Sequence, residues 1–136
     1  MTQAIPKPLP VTDEDTQPFW DFCKAHELRV QKCTQCGQLH YPPSPICPHC
    51  LNMKSEWVKL SGKGKVFSYI LVHRRYHPGF SAELPYTVAI IETDEGIRML
   101  SNVIGCKPDA VKIDMPVEVA FEDVSPEFAL PKFRPA

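Results

Sequence analysis

The sequence predicts a mainly β protein: a short N-terminal helix, a metal-stapled ribbon and a small antiparallel barrel. Three observations carry this prediction. Fifteen prolines among 136 residues argue against long helices, because proline lacks a backbone donor and clashes with the preceding turn. Two Cys-x2-Cys pairs, Cys33/Cys36 and Cys47/Cys50, stand ten residues apart. From Glu56 onward, β-branched and aromatic residues recur in short alternating runs separated by turn residues.

Residues 1–12, MTQAIPKPLPVT, read as a flexible arm. Thr16 is positioned to cap a helix carrying Pro18 in its first turn, where a missing N–H costs little. That helix is expected to run to about Glu27, with Phe19, Trp20 and Cys23 on one face. So short a helix needs a surface to pack on. Its own domain or a partner chain would serve, and two adjacent large aromatics leave both open.

The next segment holds the four cysteines. Each Cys-x2-Cys turn presents two sulfurs to one ion, and the loop between the pairs brings the two knuckles together. Gly37 follows the first pair, where a knuckle requires positive φ, while Pro42, Pro43, Pro45 and Pro48 stiffen the connection. Four cysteines imply a closed, structural Zn2+ site in a rubredoxin-like ribbon, with iron as the runner-up. A thioredoxin-type dithiol is weaker, because no βαβ pattern surrounds either pair. His40 and His49 are expected beside the site or at the surface. Cys23 and Cys106 lack partner spacing and read as small buried apolar residues.

Beyond the ribbon, KVFSYILVHRR (65–75) and YTVAIIE (86–92) read as strands, and Asp94-Glu95-Gly96 as the turn into IRMLSNVI (97–104). Residues 106–112 suggest a loop or a single helical turn. PVEVAFEDV (116–124) alternates Val117, Val119 and Phe121 against Glu118 and Glu122. The ending EFALPKFRPA offers a last strand that Pro131 confines to an edge. About five short strands suit a small closed barrel. The OB-fold is the commonest of that size, although pattern alone does not separate it from an SH3-like barrel. The expected division is an arm and helix over 1–27, the ribbon over 28–58, and an OB-fold barrel with a C-terminal tail over 59–136.

Composition excludes several classes. Hydrophobic residues at 43% and charged residues at 23% are ordinary for a globular protein. A net charge of -1, made more acidic by thiolates on zinc, lacks the signature of a non-specific nucleic-acid binder. The first residues lack the basic start and apolar run of a secretory signal, and no apolar stretch approaches the ~20 residues of a membrane span. A cytoplasmic location is expected, where six cysteines favour metal over disulfides.

Several strings together closely resemble domain-of-unknown-function family 35, zinc-ribbon plus OB-fold proteins: PFW (18–20), CTQCGQLHYPPSPICPHC (33–50), GKGKVFSY (62–69), LPYTVAIIETDEGIRMLSNVIG (84–105) and PVEVAFEDV (116–124). The resemblance covers residue 12 to the end. Asp114 departs from it, standing where the family usually has glycine. What the resemblance implies is a non-catalytic accessory subunit of a thiolase-fold acyl-CoA enzyme, with the catalytic residue on the larger chain. Two copies of each chain are expected. HRRYHPGF (73–80) and ALPKFRP (129–135) look most like partners of lipid-transfer-type thiolases and aldolases, which cleave steroid side-chain or aromatic acyl-CoA intermediates by thiolysis or retro-aldol reaction.

The residues offer matching candidates. Lys63, Lys65, Arg74 and Arg75, with His73 and His77 nearby, are suited to CoA phosphates, or form a solvated strand face. Strand alternation puts Arg74 and Arg75 on opposite sides, so at most one faces a given ligand. Tyr76, Phe80 and Tyr86 flank a loop that in an OB-fold borders the binding face. Phe19, Trp20, Phe128, Leu130 and Phe133 are the candidates for holding a partner, and the last three are costly to leave exposed. His73, His77, Glu92 and Asp94 form no recognised catalytic pattern, so independent catalysis is not expected. A single-stranded nucleic-acid module and a purely structural scaffold are the rival readings.

Overall fold

The computed structural model describes residues 7–136, so the part of the expected arm that falls on residues 1–6 lies outside it. Helix α1 runs over Gln17–Lys24 and buries Phe19 and Cys23, one turn apart on one face. Thr16 does not cap it with its side chain. Pro18 occupies the position whose N–H such a cap would bind. The helix entry is instead closed by Asp13, whose carboxylate accepts the Thr16 N–H at 2.9 Å while Thr16 Oγ1 accepts the Asp13 N–H at 3.1 Å. The helix also stops before Glu27. His26 takes a left-handed φ of 59°, and the N–H groups of His26 and Glu27 turn back to Cys23 and Phe22.

Three short strands form the ribbon: β1 Arg29–Cys33, β2 Leu39–His40 and β3 Ser55–Lys59, antiparallel in the order β2-β1-β3. Neither β1 nor β2 shows a clean apolar alternation, which is why the cysteine segment reads as loop in sequence. Leu28 and Val30 are nonetheless buried and join the barrel core through Leu60. Ribbon and barrel therefore share apolar contacts, and the metal does not hold an isolated loop.

The barrel comprises β4 Lys63–Val72, β5 Tyr86–Thr93, β6 Arg98–Ser101, β7 Pro116–Asp123 and β8 Ala129–Pro135, in the order β6-β5-β4-β7-β8. Strand β5 alternates as its sequence predicts, with Thr87, Ala89, Ile91 and Thr93 inward. A bulge between Val66 and Ser68 bends β4. The sheet curls until Phe133 of β8 meets Val103, its N–H donating to Asn102 (3.0 Å) and its carbonyl accepting from Ile104 (2.7 Å). Pro131 thus sits in an edge strand that is partly covered. The connection after Cys106 contains one 3-10 turn, Pro108–Ala110.

The glycine-rich entry has a steric reason. A Cβ on Gly64 would lie 2.5 Å from the Glu92 carbonyl oxygen, so β4 and β5 pair there only with glycine. Asp114, where the resemblance leads one to expect glycine, adopts φ of 65°, which a short polar side chain tolerates better than most. Its carboxylate lies 3.6 Å from Lys65 Nζ. Among the described residues no helix is long and apolar enough to cross a membrane.

Candidate functional site

The four cysteines converge at one end of the ribbon sheet. Cys33 ends β1 and Cys36 lies in the turn that follows, where Gly37 supplies φ of 74°. In the second knuckle the equivalent conformation falls on Leu51, at φ of 65°. The four Sγ atoms lie within 4.8 Å of one another, with Cys33–Cys50 at 3.5 Å and Cys36–Cys47 at 3.7 Å. Tetrahedral coordination at the usual zinc–sulfur distance sets sulfurs about 3.8 Å apart, so the set fits Zn2+. Backbone N–H groups of Gln35 and Cys36 aim at Cys33 Sγ, both at 3.4 Å, and that of His49 aims at Cys47 Sγ at 3.4 Å.

These donors split the thiols. The Cys36 N–H, aided by Asn52, holds Cys33 down at about 5. Cys50 also receives a backbone N–H, from Asn52, yet burial and the neighbouring sulfurs push it up to about 12. Four thiolates this close repel one another, and a divalent cation is what allows all four to ionise together. Cys33 and Cys47 are buried, Cys50 is half-buried and Cys36 is exposed; four cysteine donors fill a tetrahedral set and leave no open position for substrate. His40 is buried beside Cys33, and desolvation lowers its pKa; His49 is exposed. Cys23 is wholly buried, its thiol pushed up to about 12 by desolvation, whereas Cys106 is only half-buried.

The basic candidates do not form one cluster. Strand β4 ends at Val72, so Arg74 and Arg75 lie in an exposed bend and strand alternation does not govern them. Lys63 and Lys65 begin the same strand, at its opposite end from the bend that carries Arg74 and Arg75. The bend and the aromatic candidates do come together. The Arg74 guanidinium sits 5.4 Å from the Tyr76 ring centroid. His77 Nδ1 accepts the Gly79 N–H at 2.9 Å and so caps a 3-10 turn, Pro78–Glu83. Phe80 within that turn lies 5.8 Å from His77 and 6.0 Å from Tyr86. His73 and His77 therefore stand at the opposite end of β5 from Glu92 and Asp94, and the four do not converge.

The partner-binding candidates also divide. Phe19 is 3% exposed and Phe133 0%, so both belong to this chain's core and offer a partner no side-chain surface. Barrel closure folds the β8 edge and Phe133 inward, while Phe19 of α1 packs against Trp20 and Tyr41. Trp20 is half-buried, edge-on to Phe19 and Phe128 at 5.2 and 5.9 Å. Leu130 lies on the outer face of β8.

A cleft beside the aromatic bend escaped sequence reading. It draws Phe80, Tyr86, Asn102, Cys106 and Lys132 together from three separate segments. Lys132 is 8% exposed and pairs with Glu122 at 2.8 Å. Alternation along β8 sets Lys132 on the face opposite Phe133, but nothing local foretells its burial.

Two domain descriptions match this chain: "ChsH2, rubredoxin-like zinc ribbon domain" over residues 20–53 and "ChsH2, C-terminal OB-fold domain" over residues 57–122. A probable enoyl-CoA hydratase alpha subunit of Thermomonospora curvata is 40% identical over 99% of this chain. A 3-oxo-4,17-pregnadiene-20-carboxyl-CoA hydratase alpha subunit of Mycobacterium tuberculosis is 37% identical over 93%. The chain spans only 43% and 39% of the lengths of these two relatives. Among solved structures, an Ltp2-ChsH2(DUF35) aldolase chain superposes with a TM-score of 0.86 at 39% identity, covering 93% of this chain and 98% of that one.

Proposed function

This chain belongs to the ChsH2 or DUF35 family of zinc-ribbon and OB-fold proteins, and we propose that it is the non-catalytic accessory subunit of a thiolase-fold acyl-CoA enzyme. The observation that carries the reading is the likeness, across ribbon and barrel alike, to the ChsH2(DUF35) chain of an aldolase assembly. In this reading the partner is a lipid-transfer-type thiolase or aldolase that cleaves a steroid side-chain or aromatic acyl-CoA, assembled as two copies of each chain. This subunit steadies that enzyme and completes its acyl-CoA site.

Zn2+ on Cys33, Cys36, Cys47 and Cys50 is structural: it locks the ribbon and supplies no step. Residues 1–27, 28–58 and 59–136 divide into arm and helix, ribbon, and barrel. Arg74 and Arg75 are the proposed phosphate contacts, with Tyr76, His77, Phe80 and Tyr86 as further candidates; both arginines are exposed and the Arg74 guanidinium lies over the Tyr76 ring, which supports the role. Lys63 and Lys65 fit it less well, being at the far end of β4. Trp20, Phe128 and Leu130 remain the proposed partner contacts.

The test is a tagged copy recovered from the native host in mild salt, with co-purifying chains identified by mass spectrometry. A stoichiometric thiolase-fold chain is expected. Recovery alone, or with nucleic acid, sinks the subunit reading. In the assembled complex, Arg74→Ala with Arg75→Ala is expected to weaken acyl-CoA binding; unchanged affinity favours a pure scaffold.

A further inference from the structure

One end of the barrel carries two adjoining chambers, of about 370 and 570 Å3, that share Phe80, Asn102 and Lys132 as walls. Thr87 lines the inner one; it is 2% exposed and its hydroxyl has no partner. The outer one is walled by the chain's own Lys7, Pro8, Leu9 and Pro10. These residues were expected within a free arm, yet they lie against the barrel. Lys7 Nζ is 2.8 Å from Glu83 Oε1, 4.0 Å from Glu122 Oε1 and 5.7 Å from the Phe80 centroid. Among the described residues, no backbone–backbone hydrogen bond ties residues 7–10 to the barrel.

Charge identifies what holds these residues. Glu122 is already paired with Lys132 and Asp123 with Lys24 and His26, whereas Glu83, on the adjoining chamber, has Lys7 as its salt-bridge partner among the described residues. A cation followed by prolines suits a groove edged by the Glu83 carboxylate and walled by Phe80, because the fixed φ of proline lowers the entropy lost on docking. We propose that residues 7–10, a Lys-Pro-x-Pro segment, are an electrostatic strap: Lys7 on Glu83 and Glu122 holds them in place as the outer wall of this groove, and loss of that charge contact opens it. The strap is intramolecular, goes beyond the acyl-CoA reading, and stands or falls independently of it.

The test uses the full zinc-loaded chain and follows nuclear Overhauser contacts from the Phe80 ring and Leu130 methyls to residues 7–10. Contacts are expected in the wild type at low salt. Lys7→Glu and Glu83→Lys should each weaken them at least about threefold, since attraction becomes repulsion at a half-exposed site. The charge-swapped pair Lys7→Glu/Glu83→Lys should restore them. Unchanged β5 amide shifts in every variant confirm that the barrel is intact. Absence of the contacts in the wild type overturns the proposal. So does their persistence through both single reversals, or failure of the swap to restore them.

Discussion

Truncation of Phe133 to alanine separates a core role from a docking role. Its ring is 0% exposed, and its backbone closes the barrel against Asn102 and Ile104. Removing a fully buried phenylalanine side chain costs about 3–5 kcal/mol, through lost transfer energy and the cavity left behind. Single domains have only about 5–15 kcal/mol to lose. With a urea slope of about 1–3 kcal/mol per molar, a 4 kcal/mol loss lowers the midpoint by about 1.3–4 M. Leu130→Ala, half-buried on the outer face of the same strand, should cost only about 1 kcal/mol. Urea unfolding of the isolated, zinc-loaded chain, followed by circular dichroism and tryptophan fluorescence, measures both. Where Phe133→Ala does not fold, Phe133→Leu serves, with an expected loss of about 1–1.5 kcal/mol. A loss for Phe133→Ala no larger than for Leu130→Ala would refute the core assignment and return Phe133 to the surface.

Other expectations concern the ribbon and the helix clamp. Metal analysis should find one zinc per chain, and Cys36→Ser should lower that content. Because ribbon and barrel share apolar contacts, chelation should lower the melting temperature by more than about 10 °C. An unchanged melting temperature in verified metal-free protein would contradict a structural metal. Asp123 accepts from His26 at 3.1 Å and Lys24 at 3.2 Å, and these contacts, His26 first, hold its carboxyl below the usual value of 3.8. The unfolded chain therefore takes up this proton first on acidification. The stability from this group is complete above about pH 4 and is lost as pH falls through the depressed folded value. The stability gap between wild type and Asp123→Asn should accordingly narrow from pH 5 to pH 3 in zinc-free samples, and a constant gap would mean that the carboxylate charge is not responsible.

The sequence by itself determined what depends on near neighbours. Cys-x2-Cys spacing places two sulfurs on one turn whatever surrounds it, so the metal centre was legible from Cys33, Cys36, Cys47 and Cys50. The period of two in YTVAIIET reports burial of one face, and β5 follows it residue by residue. Asp94-Glu95-Gly96 carries its own turn chemistry, and Gly96 takes φ of 89° there. Only the tertiary structure decided where long-range closure intervenes. Strand β4 stops at Val72 because pairing with β5 ends opposite Tyr86, which turns Arg74 and Arg75 from strand residues into an exposed bend. Phe133 and Lys132 are adjacent in sequence, and barrel closure buries both, one in the core and one beside Glu122. Lys7 reaches Glu83 across 76 positions of chain. Such contacts are set by loop closure and by the shape of the curled sheet, and no local period in the sequence encodes either.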